Sequence, residues 1–314
     1  MALKLVVAVT DTDWFKHLSA RPSLEEVNFW APSVTPFRAL QPGELFLFKL
    51  HSPLNFIVGG GIFAYANELP CSLAWDAFGE ANGANSLEEM RQRIARYRRN
   101  DGIGRSEFSI GCRILTQPFF WPESKWLPAP SSWAKNIVSF KTYSTDDEEG
   151  LRLWQNVNDR MLIGPILGVS EPRPRFGEPV PIRPRLGQGA FRILVTDNYH
   201  RRCAVTLEKT LPALDAAHIR PYREGGGHEP QNGLLLRRDI HKLFDDGYVT
   251  VTPSLFFEVS PRIREEFENG RHYYELHGRR IAVPDSPSAL PDRDALDWHN
   301  RERFQRPSMS PLVG

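Results

Sequence analysis

The sequence predicts an α+β protein with two domains, and three observations support that class. The chain has 314 residues, which is long enough for two ordinary domains. In the N-terminal half, the apolar runs 44–50 and 56–65 are typical of a strand pair. In the C-terminal half, a short strand ending at His218 leads into a Gly-rich loop and then a helical segment that contains His241.

The N-terminal half predicts a small β-barrel with helices. A β-branched run at 5–9 predicts a buried first strand, and 110–116 predicts a later one. Glycines 59–61 interrupt the strand pair, which indicates a bend or a close backbone approach, as in a small barrel. The clearest helix of this half follows Ser86, because Ser86 and Glu89 form a capping-box pattern.

Further elements are predicted in the C-terminal half. The local patterns predict a helix beginning near Phe191, a short strand at 203–206, a hairpin at 248–259, a last strand at 280–283 and a helix at 294–304. His299 lies in that last helix and is expected to be a surface or packing residue.

Four residues of the C-terminal half form a pattern suited to phosphodiester hydrolysis. On the strand, a neutral His218 can take a proton from water. Asn232 can hydrogen-bond the backbone and hold the loop that directs His218. His241 and Asp245 are four residues apart, so on a helix they share one face and can bind one cation. A cation at that position would neutralise charge on the scissile phosphate and the leaving oxygen.

This spacing resembles the His-Asn-His signature of HNH endonucleases, which have the ββα-metal fold. The resemblance covers roughly residues 188–285 and is carried by His218, Asn232 and His241 with the runs around them. It implies that His218 is the general base, that Asn232 orients the loop and that His241 binds the metal. The expected cofactor is a divalent cation, Mg²⁺, Mn²⁺ or Ni²⁺.

The chain departs from that family pattern at one position. Many members have an Asp or His immediately before the base, as a further metal ligand, where this chain has Ala217. We expect His241 and Asp245 to bind the metal. Asp215 is the reserve candidate, because it would need a bulge or an irregular strand to reach the metal. The alternative that Asp245 instead caps the turn at 246–247 stays open.

The N-terminal half resembles a PUA-like domain of the EVE type. The resemblance is carried by the Phe29-Trp30 segment, the run 40–48 and the run 57–63. It implies a pocket for a modified base, 5-methylcytosine or 5-hydroxymethylcytosine, flipped out of its helix. Stacking on an aromatic ring contributes about 1–3 kcal/mol per base, which can offset the cost of flipping. The pocket candidates are Trp30, Phe29, Trp75, Asp76, Phe120 and Trp121, and each of the aromatic ones can alternatively fill the core.

A Pro-, Gly- and Arg-rich linker at 165–190 is expected to separate a reader domain at 1–164 from a nuclease domain with a C-terminal tail at 191–314. Basic residues there and near the nuclease pattern are candidates for DNA backbone contacts, with solubility as an equal alternative for those of the linker. They are Arg173, Arg175, Arg183, Arg185, Arg237 and Arg238.

The composition sets broad limits on function. The net charge of +1 neither requires nor excludes a nucleic-acid partner. Three widely spaced cysteines argue against a disulfide framework, and no run has the length of a signal peptide or a membrane span, so a cytoplasmic location is expected.

The sequence therefore predicts a modification-dependent endonuclease that acts on double-stranded modified DNA, as a homodimer if both strands are cut. Two alternatives remain: a nuclease whose N-terminal half reads unmodified DNA or RNA, and a DNA-binding protein with an inactive nuclease site.

Overall fold

The structure, a computed structural model, describes residues 2–21, 23–98, 107–162, 181–182 and 184–306. The chain divides into two compact units, Met1–Gly187 and Gln188–Gly314. The strands of the first unit are β1 (Lys4–Thr10), β2 (Glu26–Ala31), β3 (Leu45–Leu50), β4 (Phe56–Pro70), β5 (Ser109–Phe120), β6 (Leu127–Pro128) and β7 (Phe140–Ser144). Its helices are α1 (Thr12–Ser19), α2 (Cys71–Phe78), α3 (Leu87–Ala95) and α4 (Glu148–Leu162).

The first unit is organised around one mixed sheet. In the part of the chain that the structure describes, the strand order is β2-β5-β4-β3-β1-β7, and β6 pairs with β4. β1 runs parallel to β3, whereas the other neighbours are antiparallel. A barrel requires its two edge strands to pair, but β2 and β7 lie at opposite edges of this sheet. The predicted small barrel is therefore wrong, although the α+β class is confirmed.

The glycines of β4 allow the close approach that the sequence indicates. A Cβ on Gly59 would lie 2.2 Å from the carbonyl oxygen of Phe119. The pairing of β4 with β5 also shifts register between Gly60 and Ile62. Glycine is therefore required where β5 crosses this part of β4.

The helix that follows Ser86 is present as α3. Ser86 caps it by accepting a hydrogen bond from the backbone N–H of Glu89 at 3.1 Å. The Glu89 carboxylate, in turn, accepts from the backbone N–H of Asn85 at 2.8 Å rather than from that of Ser86.

The second unit begins with helix α5 and contains the predicted strand, Gly-rich loop and helix, with a second strand between the loop and the helix. Its elements are α5 (Gln188–Asn198), β8 (Leu214–His218), β9 (Gly233–Arg237), α6 (Arg238–Asp245), β10 (Val249–Val251), β11 (Phe257–Val259), α7 (Arg262–Phe267), α8 (Arg271–Tyr274) and α9 (Arg293–Glu302). β8 and β9 pair antiparallel from Leu214–Arg237 to His218–Gly233 without a register shift. The core beneath them includes Phe191, Leu234 and Ile240.

Other predictions for this unit have mixed outcomes. The hairpin is confirmed by β10 and β11, and the late helix by α9. Residues 203–206 form turns instead of a strand, because the Sγ of buried Cys203 accepts backbone N–H groups of Thr206 and Arg237, both at 3.4 Å. Residues 280–283 are not a strand either, since Arg280 forms only an isolated bridge with Phe256.

Within the described residues, no helix is long and apolar enough to cross a membrane.

Candidate active site

His218 occupies the last position of β8, with its ring held on two sides. The ring stacks on Phe191 of α5, with 3.9 Å between ring centroids and 11° between planes. Its Nε2 lies 3.1 Å from Nδ1 of His228. Among the described residues, no hydrogen-bond partner approaches the other nitrogen, Nδ1. His218 borders a cavity of about 520 Å³.

The surroundings of His218 keep its imidazole neutral. Burial, and then the charges of His228 and His241, lower the pKa of His218 to about 4. Burial lowers a histidine pKa because the cationic form loses its hydration. At neutral pH, His218 therefore has a lone pair with which to accept a proton.

Asn232 ties together the two ends of the loop after His218. Its side-chain oxygen accepts the backbone N–H of Arg220 at 2.9 Å. Its amide nitrogen donates to the carbonyl oxygens of Arg220 at 2.8 Å and Gly227 at 2.9 Å. The backbone N–H of Ile219 also donates to the carbonyl oxygen of Asn232 at 2.8 Å. Asn232 thus fixes the chain immediately after His218.

His241, on α6, lies between two carboxylates. Asp215 Oδ2 is 3.4 Å from His241 Nδ1, and Asp245 Oδ2 is 3.4 Å from His241 Nε2. His241 and Asp245 meet because they are one helical turn apart. The side chain of Asp245 is thus in contact with His241, the partner that the sequence indicated.

Asp215 contacts His241 from a strand without a bulge. The pairing of β8 with β9 is regular, and β8 packs against α6 closely enough for the contact. The contact with His241 lowers the pKa of Asp215. Burial instead raises the pKa of Asp245.

The donors around His241 fit a divalent cation at one of its nitrogens. Two ligands of one such ion lie about 3 Å apart when each bond is roughly 2.1 Å, close to the separation between His241 Nε2 and Asp245. A carboxylate that accepts the other ring N–H is the usual partner of a metal-binding histidine, and Asp215 has that position. Because the two carboxylates approach opposite nitrogens, His241, Asp245 and Asp215 do not converge on one point, and the described residues contain no group of three or more such side chains placed to hold a metal.

Comparison with known proteins identifies this part of the chain. Residues 203–252 match the family model described as HNH endonuclease. The second unit contains an HNH endonuclease domain. No curated protein matches the chain. The chain is similar to the solved structure of a modification-dependent TagI restriction endonuclease, with 14% identity over 94% of this chain and 79% of that chain, at a TM-score of 0.29. A TM-score so low supports no conclusion about this chain.

Both the acidic site and a rim of basic side chains border the cavity of the HNH domain. Asp215, His218, His241 and Asp245 all border it. So do four basic side chains that could face a phosphate backbone, Arg192, Arg223, Lys242 and Arg303, although Lys242 pairs with Asp246 at 2.8 Å and Arg303 with Glu224 at 3.0 Å.

The basic residues that the sequence suggested for DNA backbone contacts have different surroundings from one another. Arg237 forms a two-pronged ion pair with Asp239, at 2.8 and 2.6 Å, which satisfies its guanidinium within the protein. Arg238 and Arg185 are exposed. Arg173, Arg175 and Arg183 lie outside the described residues.

Two residues of the loop between β8 and β9 escaped the sequence analysis. His228 contacts His218, and Tyr222 stacks on His228 with 5.2 Å between centroids and 9° between planes, while remaining 70% exposed. The only available signal was a histidine and an aromatic residue within a Gly-rich loop, which does not show where either ring points.

The six pocket candidates of the first unit do not form one cluster. Trp121 is only 8% exposed and belongs to the core that includes Leu153 and Val157 of α4. Trp30 is also 8% exposed, and its Nε1–H donates to the carbonyl oxygen of Asn82 at 3.0 Å. Trp75 is half-buried and Asp76 exposed, both on α2.

Phe29 and Phe120 are connected by a third ring. Phe48 lies parallel to Phe29, with 6.0 Å between centroids and 2° between planes, and stacks on Phe120 at 5.7 Å. Both Phe29 and Phe120 are half-buried.

Near them, Arg113 of β5 is a cation that the sequence analysis missed. It is 8% exposed, and its guanidinium lies 5.2 Å from the ring centre of Phe37. In the register of the sheet, Arg113 is opposite Phe29. Burial lowers its pKa to about 10. No carboxylate or hydrogen-bond acceptor contacts the guanidinium within the described part of the chain.

Proposed function

We propose that this protein is a metal-dependent DNA endonuclease that cuts DNA carrying a modified base. The HNH domain would perform the hydrolysis, and the first unit would recognise the base, 5-methylcytosine or 5-hydroxymethylcytosine. The observation that carries the proposal is that His218 and the Asp215–His241–Asp245 cluster border the same cavity.

Each residue of the HNH site has a defined task in this proposal. His218 accepts a proton from the attacking water, for which its low pKa keeps it neutral. Asn232 holds the loop so that the His218 ring stays in place. The basic rim residues bind the phosphates on either side of the cut.

His241 Nε2 and Asp245 would hold the divalent cation, and Asp215 would orient His241 by accepting its Nδ1–H. When bound, the cation supplies charge stabilisation to the phosphate and the leaving oxygen. Ala217, which is fully buried, contributes no ligand, so the remaining ligands would be water or phosphate oxygens.

Calorimetry with Mn²⁺ or Ni²⁺ tests the ligand set. His241→Ala should abolish measurable binding, and Asp245→Asn should weaken it strongly, because each removes a direct donor. Asp215→Asn should weaken it by roughly 10–100-fold, as the loss of an orienting partner does. Asp246→Asn is the matched control, since Asp246 pairs with Lys242 at 2.8 Å and not with His241. Unchanged affinity in His241→Ala would show that the metal binds elsewhere.

The support for base recognition by the first unit lies in its aromatic rings and in Arg113, a buried cation without a partner among the described residues. A buried charge is costly unless it has a partner, and Arg113 has none in the described residues. Arginine can donate two parallel hydrogen bonds to adjacent acceptors on a base edge. Phe29 and Phe37, beside it, offer rings for stacking.

Arg113→Met tests this reader role in full-length protein that also carries His218→Ala to prevent cutting. Affinity for a duplex with 5-methylcytosine or 5-hydroxymethylcytosine should fall by about 10–100-fold, the cost of one base contact. Affinity for unmodified duplex should hardly change. The melting temperature should hold or rise, because Arg113 has no carboxylate partner among the described residues, and replacing such a buried charge by an apolar side chain is not destabilising.

Two results would contradict the reader proposal. Equal affinity of the Arg113-intact protein for modified and unmodified duplex would leave a nuclease without modification dependence. A large loss of melting temperature in Arg113→Met, without a change in preference, would make Arg113 a structural residue.

Cutting both strands requires two such sites, because one HNH site cuts one strand, so we also propose a homodimer on DNA. Sedimentation of the His218→Ala protein with modified duplex should show two chains per DNA. One chain per DNA under saturating conditions would contradict this.

A further inference from the structure

His228 lies outside the His-Asn-His pattern, yet it makes the one hydrogen bond that reaches the ring of His218 within the described residues. We infer that His228 is a positioning residue, which accepts the Nε2–H of His218 and thereby keeps the lone pair of His218 on Nδ1. The inference rests on the proposed nuclease function and adds to it a residue that selects the active form of the base.

The 3.1 Å contact leaves only two arrangements of protons between neutral rings. One nitrogen must carry a hydrogen and the other must accept it. If His228 were the donor, the lone pair of His218 would be engaged at Nε2 and its Nδ1 would carry the proton. If His218 is the donor, its Nδ1 is free, and that nitrogen has no partner among the described residues. Only this second form can accept a proton from water at Nδ1.

The surroundings of His228 fix the position of its ring. Tyr222 stacks on one face with 9° between planes, and Phe191 lies 5.9 Å away at a tilt. The carbonyl oxygen of the preceding residue, Gly227, accepts a hydrogen bond from Asn232. The same asparagine that fixes the chain after His218 therefore also fixes the backbone next to His228.

The proton transfer balances without a further reactant. One O–H bond of water breaks as the N–H bond forms at Nδ1, and the resulting hydroxide bonds to phosphorus while the bond to the leaving oxygen breaks. The leaving oxygen takes a proton from solvent. His218 is then a cation whose Nε2–H still donates to Nδ1 of His228, and hydrogen bonds from charged donors are the stronger ones. The His218 proton later returns to solvent.

Three variants of the full-length protein distinguish a hydrogen-bonding role of His228 from a purely steric one. His228→Ala removes the acceptor, and His228→Asn restores one, because the amide oxygen of Asn can occupy the region of Nδ1. His272→Ala is the matched control, an exposed histidine of α8. The first readout is the ¹⁵N spectrum of His218 at neutral pH without metal or DNA, which shows which ring nitrogen is protonated. The second is the single-turnover cleavage rate of DNA at saturating protein.

In the wild type, in His228→Asn and in the control, His218 should carry its proton on Nε2. In His228→Ala, the two tautomers should mix, and the cleavage rate should fall by roughly 10–100-fold with DNA affinity unchanged. A proton on Nδ1 in the wild type, or an unchanged tautomer in His228→Ala, would overturn the inference. A tautomer change in His228→Ala in a protein that cuts no DNA would support the positioning role and refute the nuclease function instead.

Discussion

Two histidines of the second unit have the same lowered pKa but different surroundings. Burial is the main cause in both, and each pKa is about 4. His218 borders the cavity with one nitrogen unpartnered among the described residues. His299 is 2% exposed, with Nδ1 2.8 Å from Thr250 Oγ1 and Nε2 3.0 Å from the carbonyl oxygen of Phe244. With both nitrogens engaged, His299 is a packing residue, one of the two roles expected from the sequence.

His299 should make the stability of the HNH domain depend on pH. Its pKa is near 6.5 in the unfolded chain and about 4 when folded, so between these values the unfolded state binds more protons. The free energy of unfolding should therefore be highest above pH 6.5 and fall by up to about 3 kcal/mol as the pH drops to 4. His299→Gln, which does not titrate, should show a smaller loss over that range in urea unfolding measurements.

The exposed His272 supplies the control for this comparison. His272→Gln should keep the wild-type pH dependence. An identical slope in wild type and His299→Gln would mean that the neutral, hydrogen-bonded His299 does not contribute to acid sensitivity.

At the scale of elements, the loop between β8 and β9 determines the site. A Cβ on Gly226 would lie 1.8 Å from the carbonyl oxygen of Arg220 and 2.8 Å from the side-chain nitrogen of Asn232. The loop can thus close around the asparagine only with glycine there. This closure brings His228 back to His218 although ten residues separate them.

Asn232→Asp should open this loop. The carboxylate cannot donate to the carbonyl oxygens of Arg220 and Gly227, and it places negative charge beside them. We expect the free energy of unfolding to fall by roughly 1–3 kcal/mol, because two partly buried acceptors lose their donors, and cleavage to fall with it. Glu229→Ala, in the same loop but exposed, should change neither. Wild-type stability in Asn232→Asp would contradict the bracing role.

The sequence predicts this element well because its signals are local. His241 and Asp245 share a helix face as their spacing indicates, and β8 and α6 appear where their patterns indicate. The sequence does not predict features that depend on contacts between residues far apart in the chain. Cys203 and its neighbours have the composition of a strand. In the structure, the backbone N–H groups of Thr206 and Arg237 donate to the Cys203 sulfur, and the chain turns there. The position of Asp215 beside His241 likewise depends on the packing of β8 on α6.

At the scale of the molecule, the chain combines a mixed-sheet unit with an HNH endonuclease domain. The predicted barrel failed because strand patterns do not state which strands pair. β1 pairs with β3 and β7, and β2 pairs with β5 at the far edge. Arg113 was not predicted for a related reason: only the folded sheet shows that this arginine is buried beside Phe37, with no carboxylate partner among the described residues.

The division of work between the units gives a clear expectation for DNA. Contacts to phosphates position a protein without specifying sequence, and the rim of the HNH cavity is basic. In the proposed function, selectivity would have to come from the first unit, while the rate of hydrolysis would depend on His218 and the His241 cluster.

The most direct test of the central claim is cleavage of a plasmid carrying 5-methylcytosine or 5-hydroxymethylcytosine by full-length protein in Mn²⁺, compared with His218→Ala. The wild type should cut this plasmid, should leave an unmodified plasmid largely intact and should stop when the metal is chelated. His218→Ala should not cut but should bind the modified DNA as tightly as the wild type, because the base acts only in the chemical step. Cleavage by well-folded His218→Ala at the wild-type rate, or undiminished cutting by the wild type after chelation, would contradict the account.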